Sequence, residues 1–115
     1  MPMRLHSLAV LATTFATAIG AWAECTQPPA PTIADGTSAT EEQMVATQQS
    51  VKTFIAKGNM YLACLVNDEK SAEVAGTNTD EAKQQRLDNY NAMVEAMQRA
   101  GDNFNTALHA FKTAR

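Results

Sequence analysis

Proline is missing from the whole chain after Pro31, so nothing beyond that point removes a backbone donor from a helix interior. Histidine is nearly missing too. His6 and His109 are the only two, and His109 has no second histidine, cysteine or carboxylate at ligand spacing, which leaves a histidine-based metal centre without support. There is no C-x-x-C, C-x-x-C-H, H-E-x-x-H or G-x-S-x-G, so the usual footholds of redox, haem, zinc-hydrolase and serine-hydrolase chemistry are lacking. Basic charge is scarce: nine Lys and Arg stand against twelve Asp and Glu. That balance argues against nucleic acid, whose phosphates demand clustered cations, and equally against an anionic membrane surface.

Long apolar runs are also lacking, with one exception. Ser7 to Ala23 is uncharged over 17 residues, short of the ~20 mostly apolar residues of a bilayer span and diluted by threonine, serine and glycine. It follows a short basic start ending at Arg4 and closes on Ala21-Trp22-Ala23, a small-x-small cleavage pattern, so residues 1–23 read as a helical secretory signal peptide. Cys25 lies near this junction, but Glu24 directly before it does not suit lipoprotein processing, and cleavage after Ala23 fits better. Removing 23 of the 115 residues leaves 92, and losing Arg4 leaves eight basic against twelve acidic side chains, a net charge of −4. One small domain is all that length supports, without an integral membrane segment.

The two cysteines, Cys25 and Cys64, form an even pair in a chain expected in an oxidising compartment, so an intramolecular disulfide is the leading expectation, ahead of an intermolecular bridge or two free thiols. Residues 24–39 hold Pro28, Pro29, Pro31 and the turn signal Asp35-Gly36, the composition of an extended, polyproline-like strap. A helical hairpin domain over 40–115 follows. Thr40 to Gln43 and the overlapping Ser38 to Glu41 both match a capping box, with Glu41 and Glu42 at the helix's positive end. Met44, Gln48, Val51, Ile55, Gly58, Leu62 and Leu65 then fall on one stripe, widened by Phe54 and Tyr61. Gly76 is a natural stop, which gives a first helix over about 41–75.

The second helix opens at Asn78 or Thr79 and extends over about 79–113, with Leu87, Tyr90, Val94, Met97, Gly101, Phe104, Leu108 and Phe111 in regular three-four spacing. The fold expected is therefore all-α: two long antiparallel helices sharing a coiled-coil-like seam, preceded by the strap. Gly58 and Gly101 on that seam call for close helix approach or room for an aromatic ring. By length the strap, roughly 46 Å when extended, is able to fold back over the roughly 36 Å of helix between Thr40 and Cys64. A bridge there would staple a thin core, with dimerisation into a four-helix bundle as the other solution.

Chemistry is limited to one alternative. Met93 and Met97 lie one turn apart, and together with Met44 or Met60 they would offer thioethers to Cu(I) or line a small-ligand site; core packing is the simpler reading. The acidic pairs Glu41-Glu42, Asp68-Glu69 and Asp80-Glu81 sit at helix starts and turns, where dipole and solubility already account for them. No catalytic residue, cofactor or calcium loop is expected.

Cys25-Thr26-Gln27-Pro28-Pro29, Asp35-Gly36, Ala39 to Met44, Val51 to Phe54, Tyr61-Leu62-Ala63-Cys64-Leu65, Tyr90-Asn91 and Phe104-Asn105 with Leu108 and Phe111 resemble a family of small exported proteobacterial proteins built as a signal peptide, a Cys- and Pro-rich strap and a helical hairpin. The resemblance implies a periplasmic setting and brings no activity with it. A fainter likeness to small helical periplasmic stress chaperones lacks their leucine-threonine-glutamine repeat, for which Ala46-Thr47-Gln48 is no substitute. Taken together, the expectation is a non-enzymatic periplasmic protein acting on an unknown protein partner, on the envelope, or on a second copy of itself.

Overall fold

The computed structural model describes residues 25–115, and the export signal expected over residues 1–23 lies outside the described residues. Two helices, α1 (Glu41–Ala75) and α2 (Asp80–Thr113), form an all-α hairpin, with no strand among the described residues. Of the two overlapping start signals, Thr40 is the cap. Its hydroxyl accepts from the Gln43 backbone N–H at 3.1 Å, while the Thr40 N–H donates to Gln43 Oε1 at 2.8 Å, closing the reciprocal capping box. Ala39 and Met44 flank this cap in one buried cluster, a hydrophobic staple that fixes how the chain enters the helix.

Asn67 and Asp68 do not interrupt α1, which continues to Ala75. Gly76 then takes a left-handed conformation at φ 69°, which costs a glycine little. Its N–H donates to Glu73 O at 3.2 Å and the Thr77 N–H donates to Ala72 O at 3.0 Å, a Schellman closure that satisfies the last carbonyls. Thr79 begins α2 by accepting from the Ala82 N–H at 3.1 Å.

The buried line of each helix is rotated from the one the spacing predicts. In α1 it runs Met44, Thr47, Val51, Phe54, Gly58, Tyr61, Leu65; Gln48 is exposed, and Ile55 and Leu62 are only half-buried. Phe54 and Tyr61 present more apolar surface than their aliphatic neighbours, so turning them inward gains more. In α2 the buried residues are Met93, Ala100 and Ala107. Val94, Gly101 and Leu108 move to the flank, and Leu87 is exposed. The small side chain at position 107 lets other backbone come close, a gain that a hydrophobicity count does not register.

What comes close is the strap. Cys25 is bonded to Cys64 across 39 residues, with the Cα atoms 5.6 Å apart. From there the chain runs back along α1: Pro28 and Pro29 lie beside Thr53, Phe54 and Lys57, and Thr32 to Asp35 beside Gln43, Ala46, Thr47 and Ser50. The Asp35 carboxylate then accepts from the Thr37 N–H at 3.0 Å and from its hydroxyl at 2.7 Å, shaping the turn. These two bonds, the hydroxyl's first, hold the Asp35 pKa below the usual carboxylate range.

At this turn Gly36 rests on α2 so closely that an added Cβ would sit 1.8 Å from Ala107 O. Arg115 completes the fastening. Its Nη2 donates to Ala39 O at 2.5 Å, and its guanidinium lies 3.7 Å over the Phe111 ring, a geometry of mutual attraction.

Gly58 and Gly101 differ in their surroundings. A Cβ at Gly58 would meet Met97 Sδ at 2.7 Å and Met93 Cε at 2.9 Å, so a methionine pair, rather than an aromatic ring, occupies the space opposite. Gly101 has nothing within 4 Å of that position, and neither close approach nor an aromatic neighbour accounts for it.

Equilibrium urea unfolding checks three expected outcomes. Gly36→Ala should destabilise by ~1–3 kcal/mol, the range for forcing extra volume into packed structure, whereas Gly101→Ala should stabilise by ~1 kcal/mol through helix propensity. Replacing both Cys25 and Cys64 with Ser should cost up to about 4 kcal/mol, the chain-entropy value for a loop of this size.

Candidate functional site

The residues singled out for soft-metal chemistry fall in separate places. Met93 is fully buried and Met97 partly so, both packed over Gly58. Met44 belongs to the other buried cluster, with Ala39 and Ala107, and Met60 is 72% exposed. Only Met93 and Met97 are brought together, and packing accounts for them. His109 is exposed on α2.

Sulfur and carboxylate do converge at one point. Cys25, Cys64 and Asp68 have their ligand atoms within 4.8 Å of one another, and Asp68 Oδ2 lies 3.2 Å from Cys25 Sγ. With both sulfurs joined in the bridge there is no thiolate to offer a cation. For the same reason the sulfur carries no proton, and the contact is not a hydrogen bond. A carboxylate held there repels an incoming thiolate, which suits a bridge whose role is structural.

The site that remains is a groove between α1 and α2 near the turn, of about 410 Å³, lined by Leu65, Val66, Glu69, Lys70, Lys83, Arg86, Leu87 and Tyr90. Its volume lies within the range of small-ligand clefts. The strap lines other stretches of α1 and none of this one, and so Val66 and Leu87 stay 43% and 52% exposed. Leu65 and Tyr90 form its inner end, while Lys70 and Lys83 lie nearer the turn. Spacing alone does not reveal this groove: it places Leu87 in the seam and Val66 on no stripe, and only the position of the strap decides which side of the hairpin is left open.

A polar network borders the groove. The Asn78 amide donates to Glu69 Oε1 at 2.7 Å and to Glu73 Oε2 at 2.9 Å. Arg86 Nε donates to Glu69 Oε2 at 2.7 Å in an ion pair, and Arg86 Nη2 donates to Asn78 Oδ1. The Asn78 bond and then the Arg86 bond hold the Glu69 pKa below the usual glutamate range, with the charges of Arg86 and Lys83 acting in the same direction. Arg86 is thereby committed to Glu69 and Asn78. The ammonium groups of Lys70 and Lys83 have no hydrogen-bond or ion-pair partner among the described residues. No helix among them is long and apolar enough to cross a membrane.

Because Glu69 is more acidic folded than unfolded, the stability it contributes is fully present above the ordinary glutamate pKa of about 4.3 and is lost as pH falls through the depressed folded value. An NMR titration of the Glu69 side-chain carboxyl should give a midpoint below that ordinary value. Asn78→Ala should raise the midpoint, and an unchanged midpoint would show that the network does not govern the charge of Glu69. In comparisons with protein-family models, curated proteins and solved structures, nothing matched this chain.

Proposed function

We propose that this is an exported, periplasmic, non-enzymatic helical protein that works by binding a protein or an envelope component through the open face of its hairpin. The observation that carries this reading is the uncovered groove at Leu65, Val66, Leu87 and Tyr90, with Lys70 and Lys83 at its rim. Exposed apolar surface flanked by charge is the usual anatomy of an interaction site. The other side of the hairpin is already occupied by the strap, which the bridge keeps in place. Support also comes from the sequence, where the acidic balance disfavours nucleic acid and no constellation of nucleophile and base is present.

The test is site-specific photo-crosslinking in cells. A photoreactive residue at Leu87 or at Val66 should give a defined adduct that weakens when Lys83 is changed to Glu. The same residue at Val74, which is 91% exposed but outside the groove, should give none. Equal adducts from Leu87 and Val74 would remove the open face as the working surface, and an adduct with the mass of a second copy would identify self-association.

A further inference from the structure

Resting on that reading of the open face, we infer that the groove takes a single-chain anionic amphiphile, its head at Lys70 and Lys83 and its tail along Leu65, Val66, Leu87 and Tyr90. Three of the eight cationic side chains in the described residues line this one groove, against a single carboxylate, Glu69. Arg86 and Glu69 neutralise each other at 2.7 Å, which leaves Lys70 and Lys83 facing no anion in contact. In a chain with more acidic than basic residues, an unpaired cationic pair beside an apolar floor complements an anion that carries an apolar body.

The order of residues along the helices distinguishes a head-and-tail ligand from an acidic helix. A docked amphipathic helix presents its charges on both flanks along its length, and would be met by cations spread along the groove. Here the lysines are at the turn end, and past the Arg86–Glu69 pair the floor continues with no further cation. One heptad on from Leu87 is Val94, and one heptad before Glu69 is Leu62; both are half-buried and extend the apolar line. From Lys83 to Val94 the helix rises about 16 Å, room for a tail lying parallel to the axis.

The experiment uses the purified chain, with dodecanoate below its micellar concentration followed by calorimetry and by NMR shifts. The expected result is saturable one-to-one binding, with shifts confined to Leu65, Val66, Leu87, Tyr90 and their neighbours. Affinity should fall as salt is raised. It should drop at least tenfold in a Lys70→Glu, Lys83→Glu double variant and persist when both lysines become Arg, with circular dichroism verifying that each variant is folded. Dodecyl phosphate should bind at least as tightly as dodecanoate, and dodecyltrimethylammonium not at all. Equal binding of the cationic amphiphile, indifference to the double charge reversal, or no binding would each overturn the inference. Adducts at Leu87 without dodecanoate binding would sink the ligand alone, whereas loss of groove-specific adducts would sink the reading beneath it.

Discussion

An antiparallel pair of helices makes one seam and leaves a groove on either side, and that shortage of enclosure is the constraint on which this structure depends. Two helices alone cannot keep a line such as Phe54, Tyr61 and Met93 away from water. The strap provides the third wall on one side, and it is fastened at both ends. At one end Cys25 is bonded to Cys64. At the other, Gly36 sits against Ala107 and Arg115 reaches Ala39 O. Both buried clusters include strap residues: Cys25 packs on the Phe54–Met93 cluster, and Ile33 and Ala34 on the cluster at Met44 and Ala107. Without the strap each cluster would be open along one flank, which is why the cross-link and the close contact of Gly36 carry more weight than either helix's own propensity.

The parts of the fold that were legible in the sequence are those decided by neighbouring residues. A capping box is chemistry within four positions, so Thr40 and Gln43 announce the start of α1 without knowledge of what packs above them. Gly76 announces its end for a similar reason, since few other residues accept a positive φ. The cysteine pair was legible through chain length and parity. The rotation of each helix was not. It is set by what lies across from it, and spacing alone cannot rank Gln48 against Thr47 or Val94 against Met93. Thr47 is tolerated inside because its hydroxyl donates to Gln43 O at 2.9 Å, so a polar residue that reads as surface arrives already satisfied. Ala100 and Ala107 are weak signals in any count of apolar bulk, yet both are buried, and at Ala107 the smallness lets the Gly36 backbone approach.

The rotation also decides which face is left over. Turning Phe54, Tyr61, Met93, Ala100 and Ala107 inward swings Val66, Leu87 and Val94 toward the side the strap does not cover. The candidate groove is therefore a consequence of the same packing choice that the aromatic and small residues impose, and it was invisible to a reading that placed Leu87 in the seam.

Near the turn both inner lines end in charge. Continuing every seventh residue, Thr47, Phe54 and Tyr61 lead to Asp68, while Ala107, Ala100 and Met93 lead to Arg86. Apolar packing cannot continue into the last turns of a hairpin, where water reaches the seam from the end as well as the sides, and paired polar groups tolerate that exposure where methyl groups would lose their gain. Arg86 does not meet Asp68, however. It is drawn to Glu69 and Asn78, while Asp68 lies against the bridge. This division has an electrostatic consequence. Glu69 is held chiefly by the Asn78 amide and by Arg86, with the charge of Lys83 contributing last. Lys70 and Lys83 thus keep a net positive rim on an otherwise acidic chain, and the network that closes the tip is also what leaves that rim unpaired.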